Sequence, residues 1–366
     1  MKLLVDAHVF DGKYQGTRTY IEGLYREAVK YKDIAFYFAA NDIEKLQELF
    51  GLSSNIHYIQ LHTTGSIARL CWEFPKIIKK YKIDYAHFQY ISPLYKCCKE
   101  IVTIHDLIFL DYPQYFDWKY KLLNGWMFKR SAKRANVLLT VSEWSKKAIE
   151  KHFHVPLNKI TITSNCIVEP HPIPTDIRKR LELDRYLMTV SRIEPRKNQL
   201  MLLKAFVNLS LYNSYKLVFV GVYDLKSKDF DDYYNHLSDK IRNKIVFCSV
   251  SYDELIELYK YTSLFVFPSY AEGFGIPPLE AIVSGAPVLC SNVTAMKEFN
   301  LPDAFTFSPY NIKELEEKIK DLLSNRPNME NVKKKVLKEY KWDNEAAKLH
   351  SVIVNLDNNI NENSVH

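Results

Sequence analysis

Phe265-Val-Phe-Pro-Ser-Tyr-Ala-Glu-Gly-Phe-Gly-Ile-Pro-Pro-Leu-Glu-Ala-Ile-Val-Ser-Gly-Ala-Pro-Val288 is the stretch that decides the fold. Its apolar run reads as a buried strand ending at Pro268, because proline has no N–H with which to continue a ladder. A loop with Glu272, Gly273, Phe274 and Gly275 follows. Pro277-Pro278 then predict a helix start, the position where missing N–H groups cost least. Gly285 ends that helix and Pro287 stops it from resuming. Two of the ten glycines thus stand one residue apart before a helix N-terminus, where backbone amides can approach an anion or a sugar hydroxyl. Glu272 in the loop and Glu280, expected in the first helical turn, can address one ligand from different sides. Singly, each acid has a plainer role: Glu280 complementing the helix dipole, Glu272 a solvated loop acid. Only the combination is specific.

The same strand–loop–helix grammar recurs outward from this stretch. Strands are expected at 187–190, 216–221, 244–248, 264–268 and 287–290 in the second half. In the first half they are expected at 2–8, 36–38, 85–88, 101–105 and 137–141. Ile21, Leu24, Tyr25, Ala28 and Val29 repeat with helical period between the first two. This alternation predicts an α/β fold of two doubly wound parallel sheets. Periodicity lapses after Val155-Pro156, and 166–175, with Pro170, Pro172 and Pro174, reads as a linker. The expected division is therefore 1–165, 166–340 and a final segment 341–366, whose polar end from 357 is expected to fray. A length of 366 residues suits two domains. Ligands of such sheets bind outside the carboxyl ends of the strands.

Composition narrows the classes. With 47% hydrophobic and 25% charged residues the chain is neither collagen-like nor largely disordered. No apolar run approaches the roughly 18 residues of a spanning helix, and Met1-Lys2-Leu3-Leu4-Val5-Asp6 meets a charge before a signal-peptide core can form. A cytoplasmic location is expected. Cys71, Cys97, Cys98, Cys166, Cys248 and Cys290 include no C-x-x-C pair, so neither a disulfide framework nor a zinc site is expected. The net charge of +7 belongs to the first half: residues 1–165 carry 24 Lys+Arg against 16 Asp+Glu, and the remainder 26 against 27. Lys119, Lys121, Lys129, Arg130, Lys133 and Arg134 are interleaved there with Leu122, Leu123, Trp126, Met127 and Phe128. That is the composition of a helix resting on an anionic membrane surface, or of a plain solvated basic helix.

A second chemical segment, Leu187-Met-Thr-Val-Ser-Arg-Ile-Glu-Pro-Arg-Lys-Asn-Gln199, runs a strand into a loop with Arg192, Arg196 and Lys197. One arginine would read as a surface salt bridge, but three cations in the first loop of the second sheet point to a nucleoside diphosphate. A third, Ile101-Val-Thr-Ile-His-Asp-Leu107, puts His105 and Asp106 at a strand end, as a structural or a ligand-facing pair. The first loop, Gly12-Lys-Tyr-Gln-Gly-Thr-Arg-Thr-Tyr20, holds no dinucleotide fingerprint. G-x-x-x-x-G-K-[ST], H-E-x-x-H and G-x-S-x-G are missing as well. Nor is there a strand-end D-x-D pair to hold a divalent metal. A departing diphosphate would be neutralised by Arg192, Lys197 and helix N-termini.

At these residues the chain resembles the retaining, nucleotide-sugar-dependent glycosyltransferases of the GT-B fold, the large family that includes bacterial mannosyltransferases and sucrose-phosphate synthase. It looks most like the polysaccharide mannosyltransferase branch. The likeness rests on Gly16-Thr-Arg-Thr-Tyr20, Ile104-His-Asp-Leu107, Val141-Ser-Glu-Trp-Ser145, Ser191-Arg192, Arg196-Lys197-Asn198 and the Glu272 to Glu280 spacing. It implies two Rossmann-like domains facing across a cleft, with acceptors bound by the first, where Gly16, Thr17 and Asp106 lie. A C-terminal helix resembling Tyr340-Lys-Trp-Asp-Asn-Glu-Ala-Ala-Lys-Leu349 would cross back onto that domain. It further implies that Arg192 and Lys197 hold the donor diphosphate, Glu280 the ribose hydroxyls, and Glu272 with the amides of Gly273, Phe274, Gly275 and Ile276 the donor sugar. Val250 would contact the base and His105 would lie near the donor sugar, so that Glu272, His105, Arg192 and Lys197 form the catalytic set.

The implied donor is GDP-mannose, with UDP- or dTDP-sugars as alternatives, and the implied acceptor is a glycan or lipid-linked glycan. No cofactor, metal or nucleic acid is expected, and the basic segment 119–134 adds an anionic membrane surface as a partner. Same-face attack, with the leaving phosphate helping to take the acceptor proton, would need no side-chain nucleophile. A nucleotide-sugar epimerase, a glycan phosphorylase and a non-catalytic nucleotide-sugar-binding module are the alternatives on this architecture. Two positions depart from the family pattern: Gly16 stands single where relatives often have a glycine pair, and Cys166 follows Asn165 where glycine is usual.

Overall fold

The computed structural model describes residues 1–12, 16–171, 173–222 and 227–363. Lys13, Tyr14 and Gln15 of the first loop, Pro172 of the proline-rich stretch and the polar end from Ser364 lie outside the described residues. The chain divides into two compact units, residues 1–166 with 341–366 and residues 167–340.

Unit 1 carries a seven-stranded sheet of β1 (Lys2–Asp6), β2 (Ala35–Ala40), β3 (Ile56–Gln60), β4 (Tyr85–Gln89), β5 (Lys99–Thr103), β6 (Val137–Thr140) and β7 (Ile160–Ile162). All pairs are parallel, in the order β3-β2-β1-β4-β5-β6-β7. The central strands are apolar throughout because helices cover both faces, and Leu3, Leu4 and Val5 are fully buried. Helix α1 (Gly16–Ala28) turns Tyr20, Ile21, Leu24, Tyr25 and Ala28 inward, at the spacing its sequence shows. Helix α2 (Trp118–Arg134) is capped by Asp117, whose carboxylate accepts from the Lys119 and Tyr120 amides.

Unit 2 carries β8 (Tyr186–Val190), β9 (Lys216–Val220), β10 (Ile245–Cys248), β11 (Leu264–Phe267), β12 (Val288–Ser291) and β13 (Thr306–Phe307). They form a parallel sheet in the order β10-β9-β8-β11-β12-β13. Strand order reverses between β8 and β11, with Phe265 in register with Met188, so the loops leaving these strands emerge side by side. Helices α3 (Tyr252–Tyr261) and α4 (Ile276–Val283) follow β10 and β11. The chain then returns to unit 1 as α5 (Trp342–Asn363), which packs on α1. Gly23 makes that packing feasible: a Cβ there would lie 2.0 Å from the Trp342 ring.

The structure corrects several expectations. β3, β7 and β13 are additional strands, all short or at a sheet edge, where polar residues on the open side interrupt the apolar run. β7 lies within the stretch where periodicity lapses. β1 stops at Asp6, because His8 opens a short 3-10 turn and its Nδ1 lies 2.7 Å from the Asp6 carboxylate. Residue 357 does not fray: the Asp357 carboxylate accepts from the Tyr85 hydroxyl at 2.6 Å and pairs with Lys99, and α5 runs on to Asn363.

Candidate functional site

The reversal of strand order in unit 2 brings two loops together. The loop after β8 carries Arg192, Glu194, Arg196 and Lys197, and the loop after β11 carries Glu272 to Gly275. Asn198 fastens one to the other. Its backbone is left-handed (φ 55°), and its side-chain amide donates to the carbonyls of Pro268 and Pro309, each at 3.2 Å. Gly221, also at positive φ, lets the end of β9 close on the first loop, for a Cβ there would meet the Ser191 carbonyl oxygen at 2.3 Å.

Lys197 Nζ lies 2.6 Å from Glu272 Oε1, and both side chains are largely buried. Burial pulls the Lys197 ammonium below the usual lysine range, while Glu272 opposes it. Burial likewise pushes the Glu272 carboxyl up, but the charges of Lys197 and Arg196 prevail and hold it below the usual carboxylate range. The Glu272 carboxyl is therefore a carboxylate at neutral pH, and the lysine beside it is shifted downward by burial. Arg196 is the scaffold of the cluster: its guanidinium binds Glu194 Oε1 at 2.5 Å and the Ala271 carbonyl, and lies 3.4 Å from Glu272 Oε2. Of the three cations in this loop, Arg196 is thus committed to protein carboxylates and a carbonyl. Arg192 is different, with its side chain 60% exposed and 4.0 Å from Glu194.

The Glu272 backbone N–H donates to Thr294 Oγ1 at 3.0 Å. Gly275, at φ 100°, caps α4 in the left-handed region, with Met296 and Phe299 filling the space a Cβ would need. Beyond it the first turn of α4 has amides without intrahelical acceptors. Because α4 begins at Ile276, Glu280 sits in its second turn, not its first. Its Oε2 accepts from the Tyr259 hydroxyl of α3 at 3.2 Å, and burial raises its pKa to about 7. Val250 lies just past β10, before Ser251 caps α3 with a capping box.

Unit 1 holds the other sequence-derived residues. Gly16 and Thr17 begin α1, and Asp106 accepts from the Ile108 amide at 3.2 Å. His105 is buried, its Nε2 2.7 Å from Gln89 Oε1, with Tyr20 edge-on at 4.9 Å. The amide oxygen can only accept, so His105 Nε2 carries the proton and Nδ1 keeps its lone pair. Gln89 Nε2 in turn reaches His87 Nε2 at 3.2 Å, and His87 also meets the Thr103 and Tyr25 hydroxyls at 2.7 Å each. Burial pushes both imidazoles down to about 3, so His105 is neutral at any physiological pH. Sequence reasoning missed Gln89, Glu194, Tyr259 and Thr294. Only Asn198, within the Arg196-Lys197-Asn198 run, carried a signal there. Among the described residues no three His, Cys, Asp or Glu side chains converge as a metal-ligand group.

Known proteins resemble both halves of the chain. Residues 16–169 match the family described as Glycosyltransferase Family 4, and residues 175–339 match Glycosyl transferases group 1. The O-antigen chain mannosyltransferase RfbU of Salmonella typhimurium is 29% identical over 231 residues, 61% of this chain and 60% of the relative. The O-antigen chain mannosyltransferase B of Escherichia coli is 29% identical over 231 residues, 59% of this chain and 60% of the relative. The chain thus spans about 60% of the length of these two relatives. Sucrose-phosphate synthase of Thermosynechococcus elongatus superposes with a TM-score of 0.73 at 17% identity, covering 97% of this chain and 98% of its own. HepE of Anabaena, solved in complex with UDP and glucose, gives 0.71 at 16% identity, covering 97% and 99%. With two doubly wound units, each matching its own glycosyltransferase family over most of its length, the chain belongs to the family 4 type glycosyltransferases of the GT-B fold.

Proposed function

We propose that the protein is a retaining glycosyltransferase that moves a hexose, mannose from GDP-mannose, onto a glycan or lipid-linked glycan in polysaccharide biosynthesis. The observation that carries this reading is the Lys197–Glu272 pair at the β8/β11 switch point, an amine and a carboxylate 2.6 Å apart and mostly buried beside an exposed arginine. Mannosyltransferase relatives support the choice of sugar.

In this reading Arg192 and Lys197 take the donor diphosphate, with Val250 at the base and Glu280 at the ribose. Glu272 and the backbone of Gly273, Phe274, Gly275 and Ile276 take the sugar. When the sugar–phosphate bond breaks, negative charge grows on the diphosphate, and fixed cations with a helix N-terminus lower that barrier. These charges do the neutralising, so turnover needs no divalent metal and no cofactor. Unit 1 supplies His105, whose bare Nδ1 can accept from a sugar hydroxyl, and the acceptor residues Gly16, Thr17 and Asp106. The protein works in the cytoplasm, peripherally attached to the inner face of the membrane. Among the described residues no helix is long and apolar enough to cross one.

The test is a thermal-shift screen of GDP-, UDP- and dTDP-sugars, followed by transfer to a lipid-linked or soluble oligosaccharide with excess EDTA, the product anomer being read by NMR. GDP-mannose stabilisation and a retained anomer in EDTA are expected. An inverted anomer, metal-restored activity or stabilisation by another sugar nucleotide alone each removes the corresponding part.

A further inference from the structure

The solvent side of α2 is apolar where an ordinary surface helix is polar. Its buried positions are Phe128, Ser131 and Ala132, whereas Trp118, Leu122, Leu123 and Trp126 stand out at 63, 70, 58 and 61% exposure. Trp118, Leu122 and Trp126 are spaced four residues apart, which makes a single stripe about 12 Å long at the helical rise. Lys119 borders one end of it, and Lys129 and Lys133 continue it at the other. These three lysines form no salt bridge among the described residues. Arg130 and Arg134 serve another purpose. Arg130 donates to the Pro93 carbonyl at 2.9 Å, and Arg134 to that of Leu94 at 2.6 Å. They pin beside the helix a loop whose Leu94 and Tyr95 are themselves 49 and 75% exposed. The helix contains no acid, and the Asp117 carboxylate is occupied as its cap.

Large apolar side chains gathered on one exposed face mark an interaction surface. Tryptophans, apolar with one polar N–H, suit the boundary between headgroups and acyl chains, and lysines flanking them supply the charge that anionic headgroups seek. We propose that the Trp118–Leu122–Trp126 face of α2 lies in the interfacial plane of an anionic lipid bilayer, with Lys119, Lys129 and Lys133 on the headgroups. This deepens the peripheral membrane attachment of the functional reading above by naming the face that makes it; the docking itself follows from exposure and charge.

The full chain should co-sediment with phosphatidylglycerol vesicles at low salt, bind phosphatidylcholine vesicles weakly, and release at high salt. Acyl-brominated lipid should quench its tryptophan fluorescence. Lys129→Gln with Lys133→Gln should weaken partition about 25-fold at low salt, at about fivefold per lysine. Leu122→Ser with Trp126→Ser should abolish binding and quenching. Both variants should keep the wild-type melting temperature and GDP affinity, since neither pair belongs to the donor residues.

Absence of binding to anionic vesicles, equal binding to both vesicle types, or binding that both variants retain overturns the proposal. So does lipid-free self-association that the Leu122/Trp126 variant abolishes, which would make the face a contact between copies. Vesicle binding by a protein that transfers no sugar would sink the transferase reading and leave this one standing.

Discussion

Replacing Glu280 by glutamine removes a carboxyl group whose pKa stands at about 7 instead of 4.5, because burial disfavours its charged form. A folded pKa above the unfolded one means full stability below about pH 4.5 and a loss as pH rises through 7. At about 1.36 kcal/mol per pH unit the loss reaches about 3 kcal/mol at pH 8, and about 2 kcal/mol once solvent screening of a partly exposed group is allowed for. Glutamine is uncharged, nearly isosteric, and still accepts from the Tyr259 hydroxyl. Glu280→Gln should therefore match wild type near pH 4.5 and exceed it above pH 7.5 by about 4–8 °C in Tm, at about 2–4 °C per kcal/mol for a domain of this size.

Calorimetric scans of the ligand-free protein between pH 4.5 and 8.5, following the transition of unit 2, measure this directly. A second arm tests the ribose assignment. Hydroxyls donating to the carboxylate favour its charged form, so GDP binding at pH 7 should release about half a proton. The binding heat should then differ between buffers of different ionisation enthalpy, and the variant should bind more weakly without that difference. A Tm gap that ignores pH, or a variant less stable at pH 8, refutes the burial argument. A buffer-independent heat refutes the ribose contact.

Arg192→Ala should leave stability within about 0.5 kcal/mol, as an exposed side chain, yet weaken GDP and UDP binding at least tenfold by calorimetry. Lys197→Ala should lose both, because Glu272 stays buried with only Arg196 at 3.4 Å to offset its charge, at about 3 kcal/mol by urea unfolding; equal stability of the two variants contradicts this cluster. Glu272→Gln should lower kcat and Glu280→Gln raise KM, a split that steady-state kinetics resolves and whose reversal would exchange their roles. Gln89→Leu strands the His105 Nε2–H, so nitrogen NMR of selectively labelled histidine should show the fixed tautomer lost, with a cost of about 1–3 kcal/mol. Gly23→Ala should expel the Trp342 ring and lower the melting temperature of unit 1, while adding Trp342→Leu should cost less than the sum of the single changes.

What the sequence makes legible follows from how far apart the interacting residues lie. Interior strands such as β8 and β11 are buried on both faces, so their apolar runs show by themselves. β3 buries only Ile56 and Ile59, three residues apart and so off the two-residue strand period, β7 has three residues and β13 has two, too little for a pattern to emerge above its surroundings. The loop chemistry of Lys197 and Glu272 was readable singly, from strand ends followed by helix starts. Their pairing was not. It joins positions 75 residues apart through the adjacency of β8 and β11, a property of sheet order that no local pattern carries. The Tyr259–Glu280 contact and the Gln89 bridge between two histidines are hidden for the same reason. Glu280 falls in the second turn of α4 and not the first because the helix begins at Ile276, one residue before the two prolines that mark its start in the sequence.

The discontinuity of unit 1 bears on the order in which the protein is made. Its sheet is translated first, but the helix that packs on α1 is translated after all of residues 167–340. As the chain leaves the ribosome, the second unit has every residue it requires while the first still shows an open socket at Gly23 and Tyr20, awaiting Trp342. Domains usually mature from the N-terminal end during synthesis. Here the unit begun first is the last to be completed, and it must keep an apolar groove out of aggregation for the whole time its neighbour is being built.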